Sequence, residues 1–446
     1  MPTPSTFSAS LDRRVFDALA GELVRESDGD PDRGADVLLS VPGHPTATTP
    51  FIGVGVVAEL VFSARTTPDE VKDFCFGSPG PALGFVSYTY GMLLRGTPSA
   101  KPLDFPLGHL KKYAAMAQYD DATGIVTVTG EERAVAGLRQ RLARLEHGHP
   151  AATTSQRRTG GGRGVPELSL PREDYEAGVR ETLARIRAGD VYQLNLSTRF
   201  RVSWPGLDPA GLFLRLWQTR PAPFYAWFSS GTRRVLSTSP ERFLRVRGGG
   251  VLSQPIKGTL RLEVGEHGED GPARAVDPVL AARLTDSAKE DAELSMIVDL
   301  IRNDISANCE VGSVRVAAHK SVFRVDRLLQ MYSDVTGRLR QDRDCLDLFF
   351  DAFPGGSVTG CPKASAMTLI EALEPHSRGV YCGSMLVVRG ERDMDSSVAI
   401  RTAVCDTRAK VMDFWAGSGI VVDSDPASEY QETVAKAEKF LTLDWP

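Results

Sequence analysis

Strand-like segments follow one another along this chain without a helix between them, and this pattern restricts the fold more than any other feature. Residues 191–202 alternate between apolar and polar side chains, and residues 234–245 and 251–260 form further strand-like runs, each interrupted by a proline. Consecutive strands pair as antiparallel neighbours, whereas parallel strands need a crossover connection between them. The pattern predicts an α+β protein with antiparallel sheets.

Helical segments lie between the groups of consecutive strands. Each is marked by apolar residues at helical spacing or by residues that favour helix ends. Asp425 followed by Pro426, for example, is a suitable N-cap and first-turn pair for the last helix. The helical segments span residues 171–189, 286–301, 362–373 and 426–441, and strands at 379–388 and 398–404 lie between the last two.

The N-terminal third of the chain gives weaker signals. Residues 51–62 and 83–90 are rich in β-branched and aromatic residues and are bounded by Gly and Pro, so we interpret residues 1–146 as β-rich. Residues 147–166 are polar, glycine-rich and basic, without periodicity, which is typical of a flexible linker or loop.

Composition excludes several functional classes. The net charge of -5 leaves no basic footprint for nucleic acid. No apolar run approaches the ~20 residues that cross a bilayer, and the N-terminus lacks a secretory pattern, so we expect a cytoplasmic protein without membrane contact. The six cysteines form no CxxC pair and are expected to be reduced core thiols; they are Cys75, Cys309, Cys345, Cys361, Cys382 and Cys405.

Two helical segments carry paired carboxylates. Glu290 and Glu293 are three residues apart, as are Glu429 and Glu432, so each pair projects from one helix face, with Lys436 one turn further on. A single pair of this kind most often lies on a solvated surface. Two pairs that converge would instead supply the hard oxygen ligands that suit Mg²⁺.

A glycine-rich turn, FPGGSVTGCPK (residues 353–363), leads directly into the third helical segment. Free N–H groups at the beginning of a helix bind anions, and glycine permits close approach of the backbone. A phosphate loop needs Gly-Lys-Ser/Thr in succession, but Cys361 and Pro362 intervene here. A carboxylate is therefore the better candidate for the anion, with a plain structural turn as the alternative.

Several segments together resemble the chorismate-binding family, which includes component I of the anthranilate and aminodeoxychorismate synthases and the isochorismate and salicylate synthases. The resemblance covers the chain from about residue 165 to the C-terminus, with weaker matches in PFIGVG (50–55) and GFVSY (84–88). The matching segments are VYQLNLSTRF, TSPERFL, QPIKGTLR, AELSMIVDLIRND, FPGGSVTGCPK, RGVYCGS, AIRTAV and GSGIVVDSDPASEYQETVAKAEKFL.

The resemblance implies a fold of two antiparallel β-sheets packed face to face as a sandwich, surrounded by helices, with the active site between the sheets. Residues 1–146 would form the N-terminal β-rich region of the sandwich, residues 147–166 a linker or loop, and residues 167–446 the chorismate-binding catalytic region.

The resemblance also assigns roles to single residues. Glu293 and Glu432, assisted by Glu290 and Glu429, would hold Mg²⁺ against the ring carboxylate of chorismate, and Glu241 would be the general acid that protonates the departing hydroxyl. Substrate-binding roles fall to Arg401, Tyr381, Thr359, Gly360, Gly417, Gly419 and Lys436.

Three positions bear on the reaction. Relatives that add water at C2 carry a lysine base where this chain has Gln193, so ammonia is the favoured nucleophile. Lys257 in QPIKGT resembles the nucleophile of aminodeoxychorismate synthases, whereas anthranilate synthases usually have Ala there; a carboxylate partner is the alternative role. Gln330 replaces the usual His that is tied to pyruvate elimination in anthranilate synthases.

The resemblance at these positions implies Mg²⁺-dependent amination of chorismate by ammonia to 4-amino-4-deoxychorismate through a Lys257 adduct at C2. This would be a transferase reaction of folate or p-aminobenzoate biosynthesis. The alternatives are a 2-amino-2-deoxyisochorismate or anthranilate synthase component I and an inactive chorismate-binding regulatory subunit. No glutaminase-like nucleophile turn is found in the sequence, so ammonia is expected from solution or from a separate glutamine amidotransferase subunit.

Overall fold

A computed structural model describes residues 4–29, 34–102, 105–148, 163–262, 276–325 and 328–442 of the chain. Within these residues the chain forms 20 strands and 11 helices. No described helix combines the length and the apolar character needed to cross a lipid bilayer. Most of the predicted linker, residues 149–162, lies outside the described residues.

The strands are β1 (Ser5–Ser10), β2 (Ala35–Leu39), β3 (Phe51–Phe62), β4 (Ala82–Val86), β5 (Gly108–Asp120), β6 (Ile125–Gly130), β7 (Glu167–Leu168), β8 (Gln193–Ser203), β9 (Phe224–Ser230), β10 (Arg233–Ser239), β11 (Arg242–Arg247), β12 (Gly250–Gln254), β13 (Ile256–Arg261), β14 (Arg315–Val325), β15 (Leu328–Arg338), β16 (Gly360–Cys361), β17 (Ser384–Gly390), β18 (Asp393–Val398), β19 (Thr402–Asp406) and β20 (Val411–Ile420).

The helices are α1 (Arg13–Gly29), α2 (Pro68–Phe76), α3 (Tyr88–Leu94), α4 (Glu132–Glu146), α5 (Arg172–Ala188), α6 (Pro209–Thr219), α7 (Pro278–Thr285), α8 (Ala288–Ser306), α9 (Cys345–Ala352), α10 (Lys363–Leu373) and α11 (Pro426–Leu441).

Every pairing between described strands is antiparallel, which confirms the predicted α+β class. The strands form one continuous hydrogen-bonded network, so the expected sheets of the sandwich are joined to each other. The longest register near the C-terminus joins β8 to β20 over ten residue pairs, from Ser203–Val411 to Leu194–Ile420. This pairing brings the residues around Gln193 beside those around Gly419.

Successive residues of one strand belong to two different cores, because side chains of a strand point alternately to opposite faces. In β2, Val37 and Leu39 join a core that α1 and α6 cover, whereas Leu38 joins a larger core that includes Leu294 and Ile297 of α8. Burying such a side chain fully contributes about 2 kcal/mol. The apolar face of α8 is thereby fixed to the sheet, which determines where its carboxylates lie.

Several predicted elements agree with the structure. The last helix has the predicted bounds, and its N-cap Asp425 accepts a hydrogen bond from the Ser428 N–H. Helix α5 ends at Gly189 in the left-handed conformation that favours glycine. The strand-like runs are interrupted at Pro240 and Pro255, between β10 and β11 and between β12 and β13.

Other predictions were wrong in their bounds or type. The strand expected at residues 83–90 ends at Val86, because Ser87 caps a helix by accepting a hydrogen bond from the Tyr90 N–H. The helix expected from residue 286 begins at Ala288, since Asp286 caps the end of α7. The N-terminal region contains the expected strands, but helices α1 to α4 also lie within it.

The prediction of core thiols is confirmed for five of the six cysteines. All six thiols are free, and five are buried, while Cys361 is partly exposed.

Candidate active site

Lys257, Glu293, Gly419 and Gln193 lie where four elements of the fold meet, namely β13, α8, β20 and β8, and we call this region the cleft. Lys257 is carried by β13, and its Nζ is 4.0 Å from Glu293 Oε2 on α8, with both side chains 17% exposed. A Cβ atom placed on Gly419 would lie 3.1 Å from Lys257 Nζ and 3.5 Å from Gln193 Nε2. A side chain at position 419 would therefore crowd the end of Lys257 and touch the end of Gln193.

Gln193 is the first residue of β8, and its side chain is buried. Its Nε2 has no hydrogen-bond partner in the described part of the chain. A buried amide donor without a partner carries a free-energy cost of about 1–3 kcal/mol, so a ligand acceptor at this place would be favourable. The Gln193 amide is therefore a candidate ligand-binding group.

Gly417 and Gly419 lie on β20 opposite Ser197 and Asn195 of β8. The two glycines differ in what a side chain at each position would meet. A Cβ on Gly417 would collide with the Leu196 carbonyl oxygen, so this glycine is required by backbone packing. At Gly419 a Cβ would meet only the ends of the Lys257 and Gln193 side chains. A glycine is therefore needed there to leave these two side chains in place and not for packing of the backbone.

Glu241 occupies the turn between β10 and β11 and is 5% exposed. Burial raises the pKa of this carboxyl to about 7, although a hydrogen bond from Ser357 and the charges of Lys257 and Lys436 act in the opposite direction. The Ser357 Oγ donates to Glu241 Oε1 over 2.7 Å. A carboxyl group with a pKa raised in this way is able to carry a proton near neutral pH.

The glycine-rich turn contains Thr359 and Gly360 immediately before α10. The helix begins at Lys363, so Pro362 is its N-cap and not, as the sequence had predicted, a residue of its first turn. Thr359 and Gly360 precede the helix. Gly360 instead forms β16 with Cys361 and pairs with β8, and a Cβ on Gly360 would collide with the Gln193 carbonyl oxygen. The Thr359 hydroxyl donates to the Gly355 carbonyl over 3.0 Å.

Arg401 lies within electrostatic range of Tyr381 and Glu432. Arg401 has a φ of 50°, a left-handed conformation that is rare for a non-glycine residue and is concentrated at functional sites. Its carbonyl accepts hydrogen bonds from Thr238 N and Oγ1 at 3.0 and 2.9 Å, which hold this conformation. Burial lowers the pKa of the guanidinium, while the charges of Tyr381 and Glu432 raise it.

The predicted metal ligands on α11 already have partners in this arrangement. Glu432 is paired with Lys436 at 2.6 Å, and Lys436 also donates to the Gly417 carbonyl at 3.3 Å. Glu429 is buried; its Oε1 accepts from Ser424 over 2.6 Å, but its Oε2 has no hydrogen-bond partner among the described residues.

The side chain of Glu290 lies outside the described part of the structure, although its backbone belongs to α8. Within the described part, three or more acidic, His or Cys side chains do not come together closely enough to form a metal site. Carboxylate oxygens are the ligands that a hard divalent cation prefers, and the buried Glu429 Oε2, which has no hydrogen-bond partner among the described residues, is suited to that role.

Gln330 is buried in β15, opposite Thr259 of β13 and Phe323 of β14. Its neighbour Met331 pairs directly with Lys257. Gln330 is therefore close to the strand that carries Lys257, but among the described residues no hydrogen bond or ion pair joins it to the other candidate residues.

A buried network that the sequence did not assign holds the cleft together. Arg378 donates to the Glu374 carboxylate through Nε and Nη2 at 2.9 and 2.7 Å, to the Val358 carbonyl at 2.8 Å and to the Asn195 carbonyl at 2.7 Å. The same Glu374 accepts from Ser197 N and Oγ, both at 2.8 Å. Arg378 thus ties the glycine-rich turn to β8; its place in the segment RGVYCGS was the only sequence signal.

Comparison with known proteins identifies the family. A family model described as chorismate binding enzyme matches residues 47–442 of the chain. The chain belongs to the chorismate-binding enzyme family. It is 36% identical to aminodeoxychorismate synthase component 1 of Klebsiella aerogenes over 368 residues, which is 81% of this chain and 76% of the relative.

Anthranilate synthases of the family are similar as well. The chain is 39% identical over 267 residues to anthranilate synthase component 1 of Haloferax volcanii, which is 59% of this chain but only about half (49%) of that relative. The crystal structure of anthranilate synthase component I from Streptococcus pneumoniae has a TM-score of 0.75 at 28% identity, over 90% of this chain and 93% of that one. These similarities establish the family and the fold, but they do not choose between the two reactions.

Proposed function

We propose that this protein catalyses the Mg²⁺-dependent amination of chorismate by ammonia to 4-amino-4-deoxychorismate, through a covalent adduct with Lys257. The observation that supports this most is the place of Lys257 Nζ, beside Gly419 and within 4.0 Å of the Glu293 carboxylate, with the Gln193 amide also beside Gly419. Because only 17% of the Lys257 side chain is exposed, it is not a surface charge, and we propose it as the nucleophile.

The two carboxylates of chorismate need separate binding groups. Arg401 and Tyr381 are proposed to bind the enolpyruvyl carboxylate, because a guanidinium forms two parallel hydrogen bonds with a carboxylate. Thr359 and Gly360 are proposed to face the ring carboxylate, and the backbone near Gly417 and Gly419 to contact the enolpyruvyl group.

Glu293 and Glu432, assisted by Glu290 and Glu429, would hold Mg²⁺. When bound, the cation would offset the negative charge of the ring carboxylate and of the acidic residues around it. Glu432 would then exchange its pairing with Lys436 for the cation, and Lys436 would be free to contact the substrate. The buried Glu429 Oε2, which has no hydrogen-bond partner in the described chain, supports this choice of ligands.

In the first chemical step, the unprotonated Lys257 amine forms a bond to C2, the ring double bond shifts, and the C4–O bond breaks. Glu241 gives its proton to the departing hydroxyl, which leaves as water. The new adduct nitrogen then loses one proton, which returns to the Glu241 carboxylate and restores the acid for the next turnover. The raised pKa of Glu241, about 7, keeps this proton available at neutral pH.

In the second step, ammonia forms a bond to C4, the double bond shifts back, and the C2–N bond to Lys257 breaks. The proton that the new C4 ammonium loses is taken up by the departing lysine nitrogen. Gln193, with its unpartnered amide, is proposed to orient the nucleophile; without a base at that position, water is not activated. The enolpyruvyl group is retained throughout, in accord with Gln330 in place of the usual His.

The source of ammonia is proposed to be a separate glutamine amidotransferase subunit. The relatives from Klebsiella aerogenes and Haloferax volcanii are both named component 1, which implies a second component in those proteins. Free ammonia is expected to support the reaction of the isolated chain.

Anthranilate synthesis is the second candidate, because relatives with that name match at 39% identity. Lys257 discriminates between the two. A side chain that occupies the approach to C2 obstructs direct amination there, which anthranilate formation requires.

The adduct itself is the test. The protein is incubated with chorismate and Mg²⁺ but without ammonia, and its intact mass is measured. The expected result is an increase equal to chorismate minus one water, absent in Lys257→Ala and present in Lys320→Ala, a lysine paired with Asp291 at 2.8 Å outside the cleft. An unchanged mass in the wild-type protein that nevertheless aminates chorismate would contradict the covalent route.

A further inference from the structure

The proposed proton transfer imposes a geometrical requirement on Glu241. A carboxyl group has two oxygens of similar basicity, and a proton on the wrong oxygen points away from the leaving group. Proton donors act only when they lie within hydrogen-bond reach of the receiving atom. A group that determines which oxygen carries the proton would therefore raise the rate without binding substrate.

We propose that the Ser357 hydroxyl is this positioning group, holding Glu241 Oε1 as an acceptor so that Oε2 presents the proton to the cleft. This inference rests on the proposed function, in which Glu241 is the general acid. Nothing in the sequence had assigned Ser357 a role.

The geometry of the contact is specific to one oxygen. Ser357 Oγ donates to Glu241 Oε1 over 2.7 Å, and the two residues are only 9% and 5% exposed. Among the described residues, no other hydrogen bond reaches the Glu241 carboxyl group. Since Oε1 accepts the serine proton, the acid proton of the neutral carboxyl lies on Oε2.

The two glycines before Ser357 make this contact possible. A Cβ on Gly356 would overlap the Leu300 side chain of α8, and a Cβ on Gly355 would lie 3.3 Å from the Phe243 ring. The turn is thus inserted between α8 and β11, which follows Glu241 directly. The glycine-rich segment, first interpreted as an anion-binding turn, also serves to bring a hydroxyl to the acid.

The backbone of Glu241 is held by a different serine. Glu241 N donates to Ser239 Oγ over 3.2 Å, and Ser239 Oγ donates to the Val398 carbonyl over 2.6 Å. Ser239 is fully buried, as Ser357 nearly is, but it does not touch the carboxyl group. It provides a matched control for the loss of one buried hydroxyl near Glu241.

The charged groups that face the Glu241 carboxyl are Lys257 of β13 and Lys436 of α11, and both favour its ionised form, as does the Ser357 hydrogen bond. Removing the hydroxyl removes one of these three influences, so the pKa of Glu241 rises. Activity that needs protonated Glu241 should therefore persist to higher pH in the variant. The rate should nevertheless fall, because a smaller fraction of the protonated carboxyl carries its proton on Oε2.

The experiment measures chorismate consumption as a function of pH for the wild type, Ser357→Ala, Ser357→Thr and Ser239→Ala, at saturating ammonia and Mg²⁺. Ser357→Ala is expected to lower kcat about tenfold to a hundredfold and to leave KM nearly unchanged. This range corresponds to the loss of one hydrogen bond to an ionisable group. The limb on which activity falls with rising pH should move to higher pH. Ser357→Thr should restore both, and Ser239→Ala should lower thermal stability without moving the limb.

Two outcomes would overturn the positioning role: a Ser357→Ala profile identical to that of the wild type, or a Ser357→Ala loss that appears in KM with an unmoved limb. Chorismate consumption is followed whichever product forms, so a product other than 4-amino-4-deoxychorismate would refute the proposed reaction while leaving this test intact. Wild-type turnover in Glu241→Gln would remove the acid and, with it, the role of Ser357.

Discussion

Lys363 Nζ lies 2.9 Å from each carboxylate oxygen of Asp304 and donates to the Ala352 carbonyl over 2.7 Å. The ion pair joins the first residue of α10 to the end of α8, and its side chains are only 13% and 9% exposed. It therefore fixes the helix that carries Glu293 against the end of the glycine-rich turn. Both residues belong to segments that resemble the family, yet neither had an assigned role.

Breaking this pair should cost far more than breaking an exposed one. Lys363→Met leaves the Asp304 charge buried without a partner and should lower the free energy of unfolding by about 3 kcal/mol. The double variant with Asp304→Asn should lose less than the sum of the single variants. Arg302→Ala breaks an exposed pair with Asp299 on the same helix and should cost under about 1 kcal/mol. Additive losses in urea denaturation would show that the pair does not act as a unit.

Substitution by alanine should affect activity at one glycine of β20 and stability at the other. Gly419→Ala places a methyl group 3.1 Å from Lys257 Nζ, so it should lower kcat/KM by about a hundredfold and change stability by less than about 0.5 kcal/mol. Gly417→Ala forces backbone atoms of β8 and β20 apart and should cost about 1–3 kcal/mol of stability. Thermal unfolding and steady-state kinetics on both variants separate the effects. A stable, active Gly419→Ala protein would show that the cleft lies elsewhere.

Glu241 should make the protein less stable as pH rises. Its folded-state pKa of about 7 lies above the ordinary value of 4.5, so the folded state binds this proton more tightly than the unfolded state. Stability is then lost as pH rises from about 4.5 to 7, by roughly 3 kcal/mol in total. Glu241→Gln should flatten this dependence and be more stable than the wild type at pH 8, although it loses turnover. Equal losses of stability for both proteins over that range would contradict the raised pKa.

Removal of divalent cations should abolish turnover. Excess EDTA should stop chorismate consumption, and Mg²⁺ should restore it; Mg²⁺ should also raise the thermal midpoint by preferential binding to the folded state. Glu293→Gln and Glu429→Gln should fold but lose both effects. Asp299→Asn, an exposed carboxylate on α8, should keep them. Full turnover in excess chelator would refute the metal assignment.

The local parts of this structure were predictable from the sequence. Helix α11 was predicted with its correct bounds because its cap, Asp425 followed by Pro426, is encoded in adjacent residues. The interruptions at Pro240 and Pro255 were predicted for the same reason, since proline lacks the N–H that a strand ladder requires. By contrast, the β propensity of Tyr88 was overridden by Ser87, whose side chain caps a helix.

The contacts that build the cleft were not predictable from one sequence. Ser357 and Glu241 are 116 residues apart, and Lys363 and Asp304 are 59 apart. Their meeting depends on how α8 packs on the sheet and how the glycine-rich turn is inserted beside it, and no local pattern reports such packing. The resemblance to the family gave Glu241 a role, but it did not give the hydroxyl that holds it.

The identity of the product tests the proposed function most directly. The protein is incubated with chorismate, ammonium and Mg²⁺, the products are identified by mass spectrometry, and pyruvate is quantified in the same sample. Attack of Lys257 at C2 predicts 4-amino-4-deoxychorismate with the enolpyruvyl group retained and no pyruvate released. Formation of 2-amino-2-deoxyisochorismate would show that ammonia attacks C2 and that pyruvate is not eliminated afterwards. Formation of anthranilate with one pyruvate per molecule would contradict the proposed role of Lys257.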